Sequence, residues 1–268
     1  MWVAAVQLNA TADLAGNVER ARKLIIQAQH RGAELVALPE HFAYLGPEDQ
    51  NPPSAQPLHG PLVSEFGEMA RKLGIFLLLG SFPEVSKPDS PPCNTSVLLG
   101  KDGAVLAAYR KIHLFDVDLA GGPSYQESRF ISPGQEVVTA ALPETPFTAG
   151  LAICYDLRFP ELFRALRGQG AELIFLPAAF TLATGRDHWQ VLVRARAIEN
   201  QAYVIAPAQW GQNSPGRRSY GRSLIVDPWG TILAQAPDTE GFILAQLDHD
   251  RLVRLRREMP CWQHRRLG

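Results

Sequence analysis

Three segments of the sequence end an apolar run on a side chain that can do chemistry. Residues 150–161 read GLAICYDLRFPE, with Cys154 where the apolar run meets a polar turn. Residues 35–40 read LVALPE and stop on Glu40, and residues 107–113 read AAYRKIH and carry Lys111. A cysteine thiol is a strong nucleophile near neutral pH once a base or a cation helps it to lose its proton. Glu40 is a base able to take that proton, deliver it to a departing amine and then activate water. Lys111 can stabilise a thiolate or an oxyanion and keep the carboxylate ionised, and charges so placed titrate as a set. The turn after Cys154 offers backbone N–H groups to an oxyanion, and the helix expected from Pro160 turns its positive end towards a thiolate. Each group also has a plainer reading: a buried cysteine packs as a small hydrophobe, and a charge at a strand end can simply be solvated. What favours chemistry is the convergence, because strand ends form the ligand crevice of open α/β sheets.

Other chemistries lack their signatures. The seven histidines show no H-E-x-x-H or similar spacing, so no metal is expected, and no G-x-G-x-x-G or G-x-x-x-x-G-K is present, so no nucleotide cofactor is either. His113 reads as a local structural histidine rather than a catalytic base. A formal net charge of −1 gives no field to recruit nucleic acid or an anionic membrane. The arginines between Arg251 and Arg266 read instead as capping a C-terminal helix and pairing with acidic groups. No stretch reaches the roughly 20 apolar residues of a membrane helix, and the N-terminus has no basic region ahead of its short apolar run. Cys93, Cys154 and Cys261 are odd in number and form no C-x-x-C pair, which argues against a disulfide framework or thiolate zinc site and for a reducing cytoplasm.

The elements that would position these groups follow from periodicity. Trp2–Leu8 reads as a buried strand, and Leu14, Val18, Ala21, Ile25 and Ala28 form a helical stripe that ends near Gly32. A strand at Leu35–Leu38, a helix at Leu62–Leu73 and an apolar run at Ile75–Leu79 continue an alternating α/β pattern. Ser96–Leu99 and Ala104–Tyr109 flank a hairpin turn at Lys101-Asp102-Gly103. From about Asp116 to Gly134 a loop rich in Gly, Pro and Ser, including Gly121-Gly122-Pro123, is expected on the surface, where long loops are often functional. Then come a strand at Phe147–Ile153, a helix at Pro160–Arg167, a strand at Leu173–Leu176 and a helix at Asp187–Asn200. Tyr203–Pro207, the hairpin Ser223–Val226 with Thr231–Ala234, and Gly241–Leu247 complete the sheet. With 46% apolar and 20% charged residues and no dividing linker, one α/β domain over residues 1–268 is expected.

The motifs LPEHF at Glu40, YRKIHLFDV at Lys111 and GLAICYDLRFPEL at Cys154 resemble, in order, those of the nitrilase or carbon–nitrogen hydrolase superfamily, and the resemblance covers essentially the whole chain. Residues 188–211, 219–234 and 260–266 are similar to its Nit branch, amidases acting on deaminated glutathione. This resemblance implies a four-layer α-β-β-α sandwich, a Glu40–Lys111–Cys154 catalytic set, and a second glutamate, Glu127, supplied by SYQESRFISPGQ. It further implies an oxyanion hole from Lys111 and the Tyr155 backbone N–H, a Cys154 acyl-thioester, and homodimers joined through helices near Arg158–Leu166 and Asp187–Asn200. Substrate contacts are expected from Tyr44, Arg158, Phe180 and Thr184. The segment after Thr184 departs from the branch by carrying Arg186 and Asp187, two charges expected near the pocket rim. Deaminated glutathione, cleaved to 2-oxoglutarate and cysteinylglycine, is the leading substrate. An ω-amidase acting on α-ketoglutaramate, an N-carbamoyl amino acid hydrolase, and a non-catalytic binding or signalling module on the same fold stay open.

Overall fold

Alternation along the first strands divides the molecule into layers. The computed structural model describes residues 1–46, 54–87, 89–118 and 124–267. In β1 (Trp2–Leu8), Ala4, Val6 and Leu8 pack with Ala21, Ile25 and Ala28 of α1 (Leu14–His30), whereas Val3 and Ala5 face the opposite way. The same split holds in β2 (Leu35–Ala37), and in β3 (Phe76–Glu84) Leu77 and Leu79 lie with Phe66 and Ala70 of α2 (Pro61–Leu73). Buried parallel strands need an apolar partner on both faces, and a second sheet supplies the other one. Asp13 caps α1 by accepting the Gly16 N–H at 3.0 Å, while α2 starts on Pro61 and stops at Gly74 in the left-handed region, φ 65°.

The first sheet continues through β4 (Cys93–Leu99) and β5 (Val105–Arg110), beyond which β6 (Asp116–Asp118) and β7 (Ser124–Gln126) pair separately. The Gly121-Gly122-Pro123 stretch, expected as surface loop, lies outside the described residues. The second sheet holds β8 (Thr139–Ala141), β9 (Thr148–Leu151), β10 (Leu173–Phe175) and β11 (Tyr203–Ala206), covered by α3 (Pro160–Gly168). After the short turn α4 (Leu182–Thr184) and a π-turn at Gly185–Trp189, α5 (Gln190–Asn200) packs beside α3. The helix expected from Asp187 therefore begins as a wider turn. β12 (Ala208–Ser214) and β13 (Arg217–Tyr220) form a hairpin at the edge of the first sheet, then β14 (Leu224–Val226) and β15 (Ile232–Gln235) extend the second.

Gly241–Leu247 closes a different sheet from the one its predecessors build. β16 (Gly241–Gln246) crosses back and pairs antiparallel with β1, Trp2 opposite Gln246, before α6 (His249–Glu258) ends the fold. The result is the mixed α/β, four-layer α-β-β-α sandwich that the resemblance implied, its larger core joining the facing sides of the two sheets to α3 and α5. Among the described residues no helix is long and apolar enough to cross a membrane.

Candidate active site

Glu40 follows β2 and Lys111 follows β5 in the first sheet, while Cys154 follows β9 in the second. The three strand ends converge where the two sheets face each other, with Glu40 and Lys111 each 2% exposed and Cys154 8%. Close approach of the β2 end to β3 depends on Gly80, where an added Cβ would fall 1.9 Å from the Pro39 carbonyl oxygen. Only glycine fits there.

Cys154 sits in the left-handed region at φ 47° and opens a 3-10 turn, Cys154–Arg158, rather than running directly into a helix. A non-glycine residue held there is strained, a common property of nucleophile turns. The Cys154 N–H donates to the Pro177 carbonyl at 2.9 Å, which leaves the Tyr155 N–H as the next donor of the turn. α3 begins only at Pro160, so its dipole is too remote to govern the thiol. Burial pushes the Cys154 thiol well above its usual range, Glu40 pushes it further, and Lys111 and the Ala179 N–H counter this only in part. These influences favour the thiol over the thiolate, opposite in direction to the expectation that the turn and Lys111 would favour a thiolate.

Glu40 is bound on every side. Its Oε1 accepts from Lys111 Nζ at 3.2 Å and Asn94 Nδ2 at 3.0 Å, its Oε2 accepts from the Ala179 N–H at 2.8 Å, and its carbonyl accepts from Gln209 Nε2 at 2.9 Å. Burial alone would raise its pKa, but Lys111, His41, the Cys154 thiol and Arg217 outweigh it and bring the carboxyl to about 2. Glu127, part of a 3-10 turn after β7, accepts from Lys111 Nζ at 2.7 and 3.1 Å and from the Phe115 N–H at 2.7 Å. Lys111 thus lies between two carboxylates whose attraction overcomes its burial and raises its pKa above the ordinary lysine value. Glu40, His41 and Glu127 present ligand atoms within 4.8 Å of one another. Their negative charge already meets a fixed ammonium, so a metal ion would have to displace Lys111.

A cavity of about 420 Å³ opens over these groups, a volume suited to a small molecule. Tyr44, Arg158, Phe180 and Thr184, the expected substrate contacts, line it, as does Tyr155, the expected oxyanion donor. The Arg158 guanidinium carbon lies 5.4 Å from the Phe180 ring centroid and 5.8 Å from that of Tyr155, and its Nη1 is 3.3 Å from His188 Nδ1. Among the described residues no carboxylate pairs with Arg158. Arg186 and Asp187, expected near the rim, are exposed on the π-turn and are not among the lining residues. His113 is structural: Nδ1 lies 2.7 Å from buried Asp156 and its ring stacks on Phe159.

Sequence reasoning missed Asn94, Gln209, His41 and Arg217. Asn94 left a usable signal, the first of three polar residues, Asn94-Thr95-Ser96, that lead into the apolar Val97-Leu98-Leu99 run, its neighbour Thr95 pairing with Arg110. The strand expected from Ser96 started two residues too late to include it. His41 and Arg217 line the cavity but come from a turn and an edge hairpin, which no periodicity places beside Glu40.

A carboxylate, an ammonium and a thiol so assembled can transfer an acyl group from an amide, and comparison with known proteins agrees. The carbon-nitrogen hydrolase family model matches residues 2–257. The chain is 44% identical over 263 residues to a deaminated glutathione amidase of Synechocystis, covering 98% of this chain and 97% of that one. It superposes on the crystal structure of Saccharomyces cerevisiae Nit3, a member of branch 10 of the nitrilase superfamily, with TM-score 0.89 and 33% identity over 100% of this chain and 97% of that one. Against the Caenorhabditis elegans NitFhit protein the TM-score is 0.86 at 37% identity, over 99% of this chain but 65% of that fusion protein. The chain is an amidase that belongs to the carbon–nitrogen hydrolase family, within the Nit branch of the nitrilase superfamily.

Proposed function

We propose that residues 1–268 form one carbon–nitrogen hydrolase domain that cleaves an acidic small-molecule amide through a Cys154 acyl-thioester, with deaminated glutathione as the substrate. The observation that carries this reading is the Glu40–Lys111–Glu127 chain beside Cys154, buried at Glu40 and Lys111, with Arg158 in the same cavity. A guanidinium with no carboxylate partner among the described residues is suited to a substrate carboxylate, and the name of the Synechocystis relative supports the choice of amide.

In this reading Cys154 Sγ attacks the amide carbon while its proton passes to Glu40. The carbonyl oxygen becomes an oxyanion held by the Lys111 ammonium and the Tyr155 N–H. As Lys111 turns towards the oxyanion, Glu40 loses part of its stabilising contact and becomes a stronger base, which offsets its low resting pKa. Collapse of the intermediate breaks the C–N bond, and Glu40 gives its proton to the leaving amine. A water then adds to the thioester, losing a proton to Glu40, and the second tetrahedral intermediate expels Cys154, which regains that proton. For deaminated glutathione the products are 2-oxoglutarate and cysteinylglycine. Glu127 holds Lys111 and the floor of the cavity; Tyr44, Phe180 and Thr184 shape the walls. We further infer a homodimer, because Val191 and Ile198 on α5 and nearby Trp229 are 66%, 49% and 56% exposed, and a reducing cytoplasm, because Cys93, Cys154 and Cys261 are all free.

A panel of amides tests the reading. Deaminated glutathione should release cysteinylglycine, α-ketoglutaramate would release ammonia, and mass spectrometry of quenched enzyme should find the acyl group on Cys154. Wild-type turnover by Cys154→Ala would refute the mechanism, and preference for α-ketoglutaramate or N-carbamoyl amino acids would refute the substrate. Light scattering checks the dimer.

A further inference from the structure

Asn94 is fully buried at the start of β4, beside the end of β5: its carbonyl accepts the Lys111 N–H at 2.9 Å. Its carboxamide nitrogen donates to Glu40 Oε1 at 3.0 Å and to Glu127 Oε1 at 3.3 Å. Two N–H bonds from one amide therefore span the two carboxylates that Lys111 also joins. The Asn94 Oδ1 is buried with no hydrogen-bond partner among the described residues, an unfavourable condition for a carboxamide. The side chain is thus held in this orientation by what its nitrogen donates to.

The consequence concerns the moment when Lys111 is needed elsewhere. Lys111 Nζ has three protons, and its close contacts are Glu40 Oε1 and both oxygens of Glu127. An ammonium that turns to an oxyanion must loosen at least one of these. Glu40 also faces His41 on its own segment, Arg217 of β13, Cys154 of the nucleophile turn and the Ala179 N–H. Asn94 and Lys111 each hydrogen-bond to both Glu40 and Glu127. Building on the catalytic set proposed above, we infer that Asn94 is a positioning residue: its amide N–H groups keep Glu40 and Glu127 in register while Lys111 serves the oxyanion.

The test uses full-length enzyme, the best amide of the panel, and pH profiles of kcat and KM for wild type, Asn94→Leu and Asn94→Asp. Asn94→Leu removes both donors, so kcat should fall about tenfold or more with KM changed less than about threefold. Asn94→Asp replaces the donors with a third carboxylate of the same shape. Its acid limb should move up by about one pH unit or more. An acid limb in Asn94→Asp that coincides with wild type would overturn the inference, as would near-wild-type kcat in Asn94→Leu. If Asn94→Asp unfolds at pH 8 and refolds at pH 5, repulsion among three carboxylates is the cause and the inference stands; equal unfolding at both pH values overturns it. Cys154→Ala separates the two levels: if that variant turns over substrate, the catalytic set itself is wrong, whereas an inactive Cys154→Ala with unmoved Asn94 profiles removes only the role of Asn94.

Discussion

His113 Nδ1 lies 2.7 Å from Oδ1 of Asp156, two residues after Lys111 on one side and two after Cys154 on the other. The same carboxylate accepts the Tyr109 hydroxyl at 2.8 Å, the His113 N–H at 3.1 Å and the Ile153 N–H at 2.8 Å. Asp156 therefore ties the strand that ends on Lys111 to the turn that opens on Cys154. Asn in its place offers one accepting oxygen for donors arranged around two, leaving a buried N–H facing other donors. Asp156→Asn should lower the melting temperature by roughly 5–10 °C and reduce kcat. A variant with wild-type melting would show that the clamp contributes nothing.

Lys111→Met should reverse the pH dependence of stability. In the wild type Glu40 sits at about 2 against an ordinary 4.5, so its contribution is complete above 4.5 and is lost as pH falls towards 2. Without Lys111 the largest remaining influence is burial, which raises the carboxyl above 4.5. The folded state then retains a proton that the unfolded state gives up, so stability is lost as pH rises through the raised value. Urea unfolding at pH 3.5, 5 and 7 measures this; parallel profiles for the two proteins would refute it.

The layers and the reactive strand ends were legible because they are local: an apolar run that stops on Glu40, Lys111 or Cys154 is visible without knowing what lies beside it. The chemistry of Cys154 was not, because its protonation depends on burial and on Glu40, which is 114 residues away in sequence and meets it only across two sheets. Asn94 and Gln209 escaped for a related reason. Each is a neutral amide whose meaning lies in the carboxylate it reaches, over 54 and 169 residues respectively. The β12–β13 hairpin was missed because its strands are polar and lie at the sheet edge, where alternation is weak.

Arg158→Gln should separate acidic from neutral substrates. The guanidinium rests on two aromatic faces and an imidazole nitrogen, an arrangement that orients it without neutralising its charge. A substrate carboxylate meeting it gains a charge-assisted pair, so KM for an acidic amide should rise about tenfold or more in the variant. A neutral amide of similar size should be affected less than about threefold. Equal changes for both would assign Arg158 to cavity structure rather than recognition.

Gly80→Ala asks how closely the Glu40 segment must approach β3. The new Cβ would lie 1.9 Å from the Pro39 carbonyl oxygen and 2.4 Å from that of Leu38, and backbone cannot rotate away as a side chain could. Either β2 or β3 must shift, and Glu40, two residues from Leu38, moves with it. Destabilisation of about 3 kcal/mol and a fall in kcat of up to about a hundredfold are expected together. Gly168→Ala is the matched control: at the end of α3 its Cβ would touch only the Trp262 ring at 3.7 Å, an ordinary contact, and alanine favours the helix. That variant should equal or exceed the wild type in stability and keep its activity. If Gly80→Ala loses stability but keeps full kcat, Glu40 is held by Lys111, Asn94 and the Ala179 N–H firmly enough to be independent of the strand beneath it.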